Sequence, residues 1–196
     1  TLIVFAWLYE AFIGDGETAA ESVALLIKNG TVSTIIILLG TLSFVAQPAG
    51  FILVTNAMRE GNKPGAGVAS LASLLFTAIA VIIILGNGVE LGVLGVAAKD
   101  MAAAVRVYEV GEVFWEPIGY FFPLAILLLG IGITIQKNVH VVIGWLFVVL
   151  GVIVFLTGLF NIDNDVLGFV QWIGFTVLTV VLGVLVLYKD CKYHKE

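Results

Sequence analysis

The chain has 196 residues, 61% of them hydrophobic and only 12% charged, which lies far outside the range of soluble globular domains. Its formal net charge of -5 argues against nucleic acid as a partner, and its single cysteine, Cys191, excludes an intrachain disulfide. The class that remains is an integral membrane protein. A spanning barrel would show strict alternation of apolar and polar residues over short segments, and no such alternation is present. The fold class expected is therefore all-α, a polytopic integral membrane helical bundle in one domain, 1–196. At about 1.5 Å rise per residue against a hydrocarbon core of about 30 Å, the apolar runs predict about six transmembrane helices. They cover about 1–13, 31–58, 66–86, 114–136, 141–160 and 166–188, and two amphipathic interfacial helices lie between them.

The first run is short for a bilayer, about 20 Å at the helical rise, and it begins with Thr1 instead of Met. Further residues upstream are expected. Glu10 falls about one turn inside the outer boundary of this run. The next segment, 14–30, is acidic, with Asp15, Glu17 and Glu21 against Lys28. Within it, Ala19, Ala20, Val23, Ala24 and Ile27 alternate with polar positions at helical spacing, which predicts a surface-lying helix over Thr18 to Ile27.

Span two carries Pro48 in its middle. Proline removes one backbone donor and collides with the carbonyl of Phe44, so a kink is expected there. Gly40, Ser43, Gln47 and Gly50 share one small, polar face, which in lipid belongs against another helix. The functional alternative is a ligand or water pocket at the kink, built from Ser43, Gln47, Pro48 and Asn56, to which Glu10 and Glu116 are added as ionisable groups near the outer boundary. Span three repeats the small face with Ser70, Ser73, Thr77 and Ala80. A long acidic loop is expected over 87–113, with a second interfacial helix at Ala97 to Val107.

Spans four and five form a hairpin around the turn Lys137, Asn138, Val139, His140. In span five Gly144, Gly151 and Gly158 recur every seven residues, almost two helical turns, and so line a groove where a neighbouring backbone can approach. Glu109, Glu112 and Glu116 would share a face if their helix ran unbroken to Pro117, giving a candidate cation or proton site. No other chemistry emerges. Only His140 and His194 are present, without a haem pair, zinc set, copper cluster, phosphate loop or serine elbow. No enzyme, metal or cofactor is expected.

Lys and Arg alternate from turn to turn. Arg59, Lys63, Lys137, Lys189, Lys192 and Lys195 fall on one side, and Lys28, Lys99 and Arg106 on the other. The positive-inside rule places both termini in the cytoplasm of a cell membrane, with the acidic loops outside.

Gly119, Tyr120, Phe121 and Phe122, followed by an apolar span, a polar turn and the run Ile143 to Gly151, resemble the C-terminal half of a family of uncharacterised prokaryotic six-span membrane proteins. Lys137 and His140 stand where that family carries an Arg-rich turn. The resemblance implies a fold and no catalytic residues. The function expected is a non-catalytic structural or accessory subunit of a membrane complex, in contact with the lipid bilayer and with other membrane subunits or copies of itself. The alternatives are a small transporter or channel with its site at Pro48, and a binder of lipid or another hydrophobic ligand at the outer leaflet through Trp115.

Overall fold

The computed structural model of the protein describes residues 8–9, 11–14, 16–60, 63–137, 139–162 and 165–193. These fold into helices joined by short turns: α1 (Ala19–Lys28), α2 (Gly30–Arg59), α3 (Ala66–Ala97), α4 (Met101–Val113), α5 (Ile118–Gln136), α6 (Val141–Leu159) and α7 (Asp165–Tyr193). Among the described residues, five helical stretches are long and apolar enough to cross a membrane: Gly30–Arg59, Ala66–Ala97, Met101–Gln136, Val141–Leu159 and Val166–Tyr188. The chain is thus an all-α, multi-pass membrane protein. Most of the first expected span, residues 1–7 and Glu10, lies outside the described residues.

Two boundaries differ from the sequence-based expectation. Span three does not end at Gly86; α3 continues without a break to Ala97. Gly88, Gly92 and Gly95 do not break it, since an isolated helical glycine costs only about 1 kcal/mol relative to alanine. Burial of Val93 within its unit helps to offset that cost. The expected long loop therefore shrinks to a turn at 98–100, and the second short helix begins at Met101, not Ala97. Asp100 caps it, its Oδ1 accepting from Ala103 N at 3.0 Å. The second difference is at 114–117, placed at the start of span four by the sequence but forming a turn in the structure. Its amides donate three residues back, Phe114 N to Gly111 O and Trp115 N to Glu112 O, each at 3.0 Å. Pro117, which disfavours helical geometry in the residue before it, explains the interruption.

Within the helices, several hydroxyl groups bond their own backbone, while the buried Ser33 Oγ and Thr179 Oγ1 make no hydrogen bond. Thr34 donates to Gly30 O, Thr41 to Ile37 O, Thr55 to Phe51 O and Thr134 to Gly130 O, at 2.6 to 2.9 Å. This removes the penalty for a bare hydroxyl in hydrocarbon without a neighbouring helix.

The chain divides into two compact units, 1–50 with 77–118, and 51–76 with 119–196. In the first, α1 packs on α4. Val23 and Leu26 of α1 and Ala104 and Tyr108 of α4 join Ile36 and Ile37 of α2 and Val93 of α3 in one buried cluster. The two amphipathic helices, expected to lie separately on the membrane surface, thus share a core.

In the second unit the rings of Phe51 and Phe76 stack at 4.7 Å between centroids, with Phe147 edge-on to Phe51 at 6.4 Å. Phe175 of α7 lies 6.0 Å from Phe51 and 4.8 Å from Phe122. Gln136, at the end of α5, donates to Met58 O at 2.7 Å and so ties the end of α5 to the end of α2. This brings the two lysine-bearing turns, after Arg59 and after Gln136, to the same end of that unit.

Candidate functional site

A polar concavity lies in the first unit, and its walls are set by local sequence. Thr18 caps α1, its Oγ1 accepting from Glu21 N at 3.3 Å, while Glu21 Oε2 accepts from Glu17 N at 2.9 Å. Gly16 N donates to Ser22 Oγ at 3.1 Å, folding the preceding loop onto the helix. Only glycine fits there, since a Cβ on Gly16 would come within 2.5 Å of Ser22 N. At the other end of α1, Asn29 Nδ2 donates to Phe12 O at 2.6 Å. The segment 12–29 is therefore closed on itself at both ends.

The opposite wall is α4. Gly111 lets α4 approach Val89 of α3, where a Cβ would meet Val89 Cγ1 at 2.9 Å. One turn beyond, the indole of Trp115 lies over Gly86, within 3.0 Å of where a Cβ would be. With α4 held in this way, a cleft of about 560 Å³ opens, lined by the carboxylates of Glu17, Glu90, Glu109 and Glu112, by Tyr9 and Tyr108, and by Thr18 and Ser22. Among the described residues, no Lys or Arg lines it. Four carboxylates around one concavity produce a negative potential that draws cationic groups. Among the described residues, however, no group of three or more His, Cys, Asp or Glu is disposed to hold a metal ion.

The structure redistributes the residues singled out from sequence. Glu109 and Glu112 reach the cleft, but Glu116 does not line it, because the helix that was to align all three ends at Val113. Glu17 and Glu90, which complete the cleft, carry no local signal, being distant in sequence from α4 and from each other. Glu10 lies outside the described residues.

The expected site at the proline is not assembled as a pocket in either cavity described. Pro48 is buried and Ser43 and Gln47 are half-buried in the first unit. Asn56 is exposed in the second unit, where its Oδ1 accepts from Arg59 Nη1 at 3.2 Å and from Ser73 Oγ at 3.4 Å.

The small residues divide sharply. Gly40 and Gly50 face nothing within 4 Å of a would-be Cβ, so they mark no close helix approach, contrary to the expected packing face. Gly144 and Gly151 do mark one. A Cβ at Gly144 would meet Gly130 O and Thr134 N at 2.9 Å, and one at Gly151 would meet Leu127 N at 2.8 Å and Pro123 O at 2.9 Å. Gly158 ends this seam loosely, 3.7 Å from Gly119 O. Ser70 bonds its own helix at Ala66 O, at 3.0 Å. Gly130 of α5, overlooked in the sequence, is the counterpart of Gly144.

No protein-family model matches the chain, and comparison with curated proteins and with solved structures finds no match.

Proposed function

We propose that this chain is a non-catalytic accessory subunit of a membrane complex, anchored by its helical bundle and meeting a partner through the acidic end formed by α1 and α4. The observation that supports this reading is the cleft of Glu17, Glu90, Glu109 and Glu112, walled by two amphipathic helices that share a buried core. Complementary charge steers and orients a partner, so the fitting counterpart is a Lys- or Arg-bearing segment of another subunit. The positive-inside rule, applied to the Lys and Arg of the sequence, supports an outer position for the acidic segments that line the cleft. The resemblance of the Gly119 to Gly151 region to uncharacterised prokaryotic six-span proteins accords with a bundle of this kind.

The transporter reading has less support. A transport path needs polar groups turned into a shared cavity, whereas the hydroxyls of Thr34, Thr41, Thr55 and Thr134 bond their own helices.

Native mass spectrometry of the protein released gently from its own membrane tests the proposal. The expected result is a stoichiometric partner chain that dissociates at raised ionic strength and is lost in the combined variant Glu17→Gln, Glu109→Gln and Glu112→Gln. A lone chain or homo-oligomer from the unsubstituted protein overturns it.

A further inference from the structure

We draw no further inference here: the strongest candidate, the carboxylate-lined cleft between α1 and α4 in the first unit, belongs to the site already described and has beside it no second observation that points to a ligand.

Discussion

Replacing Gly151 with alanine should push α5 and α6 apart, and replacing Gly158 should not. The Cβ added at Gly151 would lie 2.8 Å from Leu127 N and 2.9 Å from Pro123 O, where ordinary contact begins at 3.4 Å. Both obstacles are backbone atoms, so no side-chain rotation relieves them. The helices must separate by about 0.5 Å, a gap that already forfeits about a quarter of the attraction at each atom pair across the seam. Overpacking of this kind costs about 1–3 kcal/mol, against about 1 kcal/mol gained because alanine is the better helix former. The net effect expected for Gly151→Ala is a loss of up to about 2 kcal/mol. At Gly158 the nearest atom, Gly119 O, is 3.7 Å away, so only the helix-propensity gain remains. Gly158→Ala should therefore be neutral or more stable by up to about 1 kcal/mol. Reversible unfolding by SDS in mixed micelles, followed by far-UV circular dichroism, measures both variants on one scale. A Gly151→Ala variant as stable as Gly158→Ala, or more so, would refute the packing argument.

Further predictions follow from the same geometry. A Cβ at Gly130 would meet Gly144 O and Val148 N at 2.7 Å. Gly130→Ala should therefore destabilise like Gly151→Ala, and the double variant with Gly144→Ala should lose less than the sum, since one separation relieves both contacts. Gln136→Leu removes the 2.7 Å bond to Met58 O and should cost about 1 kcal/mol in the same titration; an unchanged midpoint would show that this tie contributes nothing. Asp100→Ala deletes the cap of α4 and should cost about 1 kcal/mol. Hydrogen exchange should then speed up over 101–113 while the α6 amides stay protected; uniform acceleration would contradict a local role. Gly86→Val should displace the indole of Trp115 and shift its fluorescence to the red, an effect that should disappear when Trp115 is already Phe.

The class was legible in the residues because a bilayer tests a local property. A helix must stay apolar for about 20 residues whatever lies beside it, so the runs at 31–58 and 141–160 announce themselves without tertiary information. The N-caps at Thr18 and Asp100 are also local features, though the reading of the sequence, which began the second short helix at Ala97, did not pick them out. Helix neighbours are not local. In lipid every face of a span is apolar, so periodicity does not say which face meets protein. Gly40, Gly50, Gly144 and Gly151 look alike in sequence, yet only the last two touch another backbone, because α5 happens to run beside them. The cleft shows the same division. That segments 14–30 and 87–113 are acidic was plain, but Glu17 and Glu90 join Glu109 and Glu112 only because Val23, Leu26, Ala104 and Tyr108 bury against one another and against Val93. Composition determined the solvent this chain lives in; packing between distant helices decided which of its polar groups face one another.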